Sequence, residues 1–179
     1  RSYMTAAALR ELVPWDTARK TALQMALSSA CRHNNLELLQ WLTSRYNITA
    51  DEVRNPRNTL VEACATGALD VAKWLVATFH FTANDIRDHK AYALAKACEC
   101  GNLEVVEWLV TTFAFTAEET NPPQALRYAC SQGHLAVVQY LVSTFKYDAA
   151  DVRSSRALGA ACDGKYLELA EWLVTTFNL

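Results

Sequence analysis

One twenty-residue stretch, Leu60 to Phe79 (LVEACATGALDVAKWLVATF), recurs along the chain and limits what it can fold into. A cysteine column runs Cys31, Cys64, Cys98, Cys130, Cys162, with a spacing of 32 to 34 residues. Ten residues after each cysteine stands Trp41, Trp74, Trp108, Tyr140 or Trp172, and five further on Tyr46, Phe79, Phe113, Phe145 or Phe177. Three columns in register over five copies define a repeat protein, whose units each bury their apolar face against the next. Such a stack grows by adding units, so 179 residues imply one domain rather than two.

Within a unit the periodicity predicts two helices. Leu60, Ala63, Cys64 and Gly67 fall at i, i+3, i+4 and i+7, one face of a short first helix. Small residues at Ala63 and Cys64 let the neighbouring backbone approach. A turn follows, with Asn34, Gly67, Gly101, Gly133 and Lys165 at one position. Gly and Asn suit the left-handed residue that stops a helix. Lys165 departs from that rule and Gly164 comes one place early, so the last turn is expected to differ.

The second helix is expected over residues 69–79. Leu69, Ala72, Trp74, Leu75 and Phe79 make its apolar stripe, while Asp70 and Lys73 face water. This reading puts the Trp column in the core between units. Trp74→Ala is then expected to cost about 3–5 kcal/mol.

The linkers repeat as well: Thr49-Ala50-Asp51-Glu52, Thr82-Ala83-Asn84-Asp85, Thr116-Ala117-Glu118-Glu119 and Asp148-Ala149-Ala150-Asp151. An oxygen-bearing residue with an acid three places on is the pattern of a capping box, so each linker should hold one helical turn. These acids are read as caps, not as paired catalytic carboxylates. Beyond them lie four stretches that do not repeat and are expected as loop tips: residues 55–58, 88–91, 121–124 and 154–156.

The units are drawn at about 21–54, 55–87, 88–121, 122–153 and 154–179. Residues 1–20 read as a leading half-unit, with a helix over Thr5–Val13 ended by Pro14, or as a dedicated N-terminal cap. The start at Arg1-Ser2 reads as a processed fragment. Terminal repeats normally present a polar outer face. The last unit here looks like an internal one, so either the parent chain continues or the exposed end packs on something.

The repeat resembles the ankyrin family. The family core, Leu-His-x-Ala-Ala-x-x-Gly-His-x-x-Val-Val-x-x-Leu-Leu, is matched by LVEACATGALDVAKWL, LAKACECGNLEVVEWL and LRYACSQGHLAVVQYL, with His134 at the second family histidine. The likeness covers residues 21–179. It departs in two places. The Thr-Pro-Leu-His start is absent, and the Gly-Ala-Asp end is replaced by Thr-Phe-x-Phe-Thr-Ala, as in the Trp-Leu variant found in large arrays of protists and giant viruses. The resemblance implies an all-α, ankyrin-like solenoid of stacked helix-turn-helix repeats of 32–34 residues, first helices lining the concave face. It leaves open whether short helices or hairpin fingers join the units.

Few residues suggest chemistry. The net charge is -2 and no Lys/Arg run exists, which argues against a nucleic-acid partner. No apolar run reaches the length of a membrane span, and no signal peptide is visible. Five of six cysteines occupy equivalent positions in units stacked about 10 Å apart, too far to bridge. They read as buried small residues, suited to the cytoplasm or another reducing compartment. Cys100 stands off the column and should be more exposed. No metal-ligand spacing, P-loop, dinucleotide fingerprint or nucleophile elbow is present, so no enzyme, cofactor or small-molecule substrate is expected.

In a solenoid, positions that vary between repeats are free to carry specificity. On the third unit these are His89, Lys90, Tyr92, Lys96 and Glu99. On the fourth they are Pro123, Gln124, Arg127, Tyr128, Ser131 and Gln132, with Arg156 at the next loop tip. Tyr and Arg are favoured anchors at interfaces. The expected function is a non-catalytic module that binds another protein through this concave strip. A pathogen effector acting on a host protein is one form of it. The alternative is a structural spacer within a larger multidomain repeat protein.

Overall fold

The computed structural model describes residues 15–54, 59–116 and 122–179, with side chains for these apart from 15–20, 51, 54, 87–91, 122 and 123. The helix expected over Thr5–Val13 lies outside the described residues. Among those described the chain forms twelve helices and no strand: α1 (Trp15–Arg32), α2 (Leu36–Tyr46), α3 (Ala50–Arg54), α4 (Thr59–Thr66), α5 (Leu69–Phe79), α6 (Ala83–Glu99), α7 (Leu103–Phe113), α8 (Pro122–Ser131), α9 (Leu135–Phe145), α10 (Ala149–Ser155), α11 (Ala157–Asp163) and α12 (Leu167–Phe177).

The first helices α1, α4, α6, α8 and α11 stack in that order, and α2, α5, α7, α9 and α12 each fold back on their own first helix. Close stacking follows from small residues. Ala30-Cys31, Ala63-Cys64, Ala97-Cys98 and Ala129-Cys130 are all but fully buried. The first helices pack more tightly on one another than the second helices do, which curves the array with the first helices inside.

Each unit turns through two left-handed residues. Asn34, Gly67, Gly101, Gly133 and Lys165 all have positive φ, between 48° and 75°. Lys165, with φ 62°, therefore takes the same turn as its four counterparts, and the expectation that the last turn differs is corrected. Gly164 stays right-handed with φ -76°. The reason lies one residue on: the N–H of Asn35, Ala68, Asn102, His134 and Tyr166 each donates to the column alanine five residues back, at 2.8–3.0 Å. That bond requires the left-handed residue between. The second helices end likewise at Asn47, His80, Ala114, Lys146 and Asn178, with φ 48–57°. The next residue but one from each column aromatic then turns inward: Ile48, Phe81, Phe115 and Tyr147 are 5–8 % exposed. This apolar column after the second helix went unrecognised in the sequence.

Three capping boxes form as expected. Asp85 and Asp151 carboxylates accept from the Thr82 and Asp148 backbone N–H groups at 2.7 and 3.0 Å, and the cap side chains accept in return. Glu52 and Thr49 do the same. Glu119 lies outside the described residues.

Two further expectations are corrected. Residues 88–91 are not a loop tip; they continue α6, which joins the capped turn and the first helix of the third unit into one helix of 17 residues. No Gly or Pro stands between Ala83 and Glu99 to stop it. Residues 122–124 likewise open α8, since Pro is tolerated in a first helical turn. The second correction concerns the Trp column. Trp74, Trp108, Tyr140 and Trp172 are only half-buried, and Trp41 is 54 % exposed. The sealed column is its neighbour: Leu75, Leu109, Leu141 and Leu173 are 0 % exposed. Adjacent helix positions differ by about 100°, and here the leucine takes the middle of the buried stripe while the aromatic falls on its margin. The indoles lie at the core's edge, packed edge-on to Phe79, Phe113 and Phe177 at 6.0 Å. Truncating Trp74 should therefore cost about 1.5–3 kcal/mol, below the sequence expectation.

Candidate functional site

The helix period places Tyr92, Lys96 and Glu99 on one side of α6, and Gln124, Arg127, Tyr128 and Ser131 on the matching side of α8. Because α6 packs on α8, these two sets form adjacent rungs of a single strip. Tyr92 matches Gln124, and Lys96 matches Tyr128, one unit apart. Units in contact are about 10 Å apart, within the reach of one bound segment.

Each rung is internally ordered. Lys96 Nζ lies 2.6 Å from Glu99 Oε2 and 5.6 Å from the Tyr92 ring centroid. Both ends of that ion pair keep 30 % side-chain exposure, so the pair orients the side chains more than it stabilises the fold. The hydrogen bond to Glu99, ahead of burial, which opposes it, raises the Lys96 pKa and keeps the ammonium charged. On α8, Gln124 Nε2 donates to the Tyr128 hydroxyl at 3.1 Å, and Arg127 Cζ stands 5.7 Å from the Tyr128 ring centroid. Ser131 Oγ donates to the Tyr128 carbonyl at 2.9 Å. Tyr92 is 44 % exposed, Arg127 and Gln132 are exposed, and Tyr128 is half-buried. The strip thus presents two aromatic rings, each with a cation over it, an arrangement that restrains these side chains.

Arg156 extends the strip by one unit, at the position of Tyr92 and Gln124. It is exposed, with φ 56°, and is the left-handed residue that separates α10 from α11. The side chains of His89, Lys90 and Pro123 lie outside the described residues, although their backbone belongs to α6 and α8.

Behind the strip, adjacent units are fastened by polar side chains. Asn102 Nδ2 donates to the carbonyls of Cys64 and Ala65 at 2.9 and 2.8 Å. His134 Nε2, the protonated nitrogen facing a carbonyl, donates to Glu99 at 3.0 Å. Each follows the left-handed glycine of its own unit, and its side chain lies over the left-handed glycine of the unit before. A Cβ on Gly67 would stand 2.8 Å from Asn102 Oδ1, and one on Gly101 2.4 Å from His134 Nδ1. The sequence identified these glycines as turn residues; their second role, making room for the next unit's polar side chain, shows only in three dimensions.

The thiols do not form a reactive centre. Cys31, Cys64, Cys98 and Cys130 are free and buried, and burial pushes the Cys31, Cys98 and Cys130 thiols up to about 12. Cys100 is exposed as expected, yet burial and then Glu99 raise its pKa, the opposite of an activated thiol. Cys162, in the same column as the buried four, is exposed. Among the described residues no three His, Cys, Asp or Glu converge on a metal site, and no helix is long and apolar enough to cross a membrane.

Stacked helix pairs with an ordered, variable strip along the inner helices define an all-α repeat solenoid, a class that presents an extended surface. Comparison with protein families narrows the class: a family model described as ankyrin repeats in three copies matches residues 27–118, 92 of the 179. The chain belongs to the ankyrin repeat family, whose members are generally protein–protein interaction modules and typically non-catalytic. The fourth and fifth units, beyond that match, carry the same columns and the same turns. No curated protein matched the chain.

Proposed function

We propose that this chain is a non-catalytic module that binds another protein through the α6–α8 strip. The observation that carries this reading is the pair of rungs, Tyr92–Lys96–Glu99 and Gln124–Tyr128–Arg127, ordered by their own contacts while the units that bear them share a uniform core. A cation over a tyrosine on each of two adjacent units adds little to the fold at so accessible a place, about 0.5–1 kcal/mol each, whereas a protein interface uses Tyr and Arg as anchors. Arg156 and Gln132 complete the strip, with His89, Lys90 and Pro123 as further contacts. The likeness to Trp-Leu arrays of protists and giant viruses supports a host protein as the partner and an effector role. The reducing compartment fits the free column thiols.

The test is affinity capture with mass spectrometry, the wild type run beside Arg127→Glu/Tyr128→Ala. Loss of a specific partner with the double variant, its circular dichroism unchanged, supports the proposal. Retention of every partner by that variant refutes it.

A further inference from the structure

The strip carried by α6 and α8 is rich in hydrogen-bond donors and poor in acceptors. Its acid, Glu99, is already engaged: the carboxylate lies 2.6 Å from Lys96 Nζ, and the two charges cancel. The cations beyond that pair are not cancelled. Arg127 is exposed on α8 with its guanidinium over the Tyr128 ring, and Arg156 is exposed at the junction of α10 and α11. Among the described residues no carboxylate pairs with either. Asp163 closes α11 seven positions past Arg156, about 10 Å along the helix. Asp151 on α10 accepts from the Asp148 backbone N–H, and Arg153, exposed on the same helix, has the sign of the other arginines. The strip is therefore positive on a chain whose net charge is -2. Tyr128 adds a neutral donor: its oxygen accepts from Gln124 Nε2 at 3.1 Å, which leaves its own O–H to donate.

We propose, resting on the reading that this strip is the binding surface, that what binds there is an acidic, extended protein segment whose carboxylates meet Arg127 and Arg156. A guanidinium presents five donors and no acceptor, and it pairs with a carboxylate through two parallel hydrogen bonds. Helix α8 packs on both α10 and α11, so the two arginines stand on adjacent units, which lie about 10 Å apart. An extended chain rises about 3.3 Å per residue and covers that step in about three residues. Carboxylates spaced at about that interval meet one arginine each, the first of them beside the Tyr128 O–H. Singly charged groups in a row fit cations set one to a unit better than a phosphate does, since a phosphate draws its donors around a single point. One unit back, Tyr92 is 44 % exposed and offers its ring to an apolar residue of the same segment.

Fluorescence anisotropy with labelled poly-L-glutamate tests this on the full chain, beside Arg127→Gln, Arg156→Gln and, on the outer side, Lys73→Gln. All three side chains are exposed, so the variants should keep the wild-type circular dichroism. The wild type is expected to bind poly-L-glutamate, and more weakly as ionic strength rises from about 0.1 M to about 1 M, where the Debye length falls to about 3 Å. Arg127→Gln and Arg156→Gln should each weaken binding about tenfold, the loss expected with a charge-assisted hydrogen bond. Lys73→Gln should leave it unchanged. A wild type that does not bind poly-L-glutamate overturns the proposal, and one that binds inorganic polyphosphate instead assigns the strip to phosphate. Undiminished binding by both arginine variants, or an equal loss with Lys73→Gln, overturns it too. Failure here is distinct from failure of the module reading: a protein captured through the strip by a segment without acids overturns this proposal alone, whereas capture undiminished by Arg127→Glu/Tyr128→Ala overturns both.

Discussion

Gly101→Ala is the substitution whose cost the structure specifies best. The residue sits at φ 74°, where a Cβ costs about 1–2 kcal/mol. The added methyl would also stand 2.4 Å from His134 Nδ1, 2.6 Å from Cε1 and 2.7 Å from Cγ, so the imidazole must move. Moving it breaks the 3.0 Å bond to the Glu99 carbonyl. Overpacking of this kind costs about 1–3 kcal/mol, giving about 2–5 kcal/mol in all. His134→Ala removes the obstacle together with the bond, which is worth about 0.5–1.5 kcal/mol. In that background Gly101→Ala should retain only the backbone cost. Urea denaturation of the four proteins in the double-mutant cycle should thus give a coupling of about 1–3 kcal/mol, the double variant being more stable than the sum of the singles. Gly159→Ala is the control: that glycine lies within a helix with open space around its Cβ position, and the change should stabilise by about 0.5–1 kcal/mol. Additive effects in the cycle, or a neutral Gly101→Ala, would refute the claim that this glycine serves the next unit's side chain as well as its own turn.

Other substitutions probe the rest of the account. Leu109→Ala, at a fully sealed position, should cost about 3–5 kcal/mol, and Trp108→Ala clearly less, in the same denaturation assay; the reverse order would restore the Trp column to the core. Lys165→Gly should raise stability by about 1 kcal/mol, measured as a higher denaturation midpoint, because it relieves a side chain held at φ 62°. A thiol reagent should label Cys100 and Cys162 in the native protein and the other four only on unfolding, with labelled sites read by peptide mass. Those buried thiols also set a pH dependence. Below pH 9.0 they are neutral in both states; above it the unfolded chain ionises first, because burial holds Cys31, Cys98 and Cys130 near 12. Stability should fall as pH rises from 9 towards 12, by about 1.4 kcal/mol per pH unit for each thiol, and Cys98→Ala should flatten that slope.

The sequence was most informative where a residue's role repeats. Five aligned copies made the Ala-Cys column, the left-handed turn and the capping boxes readable, because each is a local requirement met again at every unit. Reading failed where a role depends on direction. Trp74 and Leu75 are neighbours in sequence, and periodicity could not say which of them points into the core. It failed again at residues 88–91, where the absence of repetition looked like a loop although no residue there stops a helix. The polar fastening by Asn102 and His134 was hidden for another reason. It joins a residue to the carbonyls of the unit before it, 35 to 38 positions away, and the residue type changes from unit to unit. On the strip, residue types were legible, but the pairing of Lys96 with Glu99 and of Arg127 with Tyr128 came only with the structure.

Hydrogen–deuterium exchange, with and without the captured partner, tests the central claim most directly. Amides of α6 and α8 should slow on complex formation, together with the turn around Arg156, while those of α5, α7 and α9 on the outer side stay unchanged. Protection confined to the outer helices, with α6 and α8 unaffected, would contradict the account.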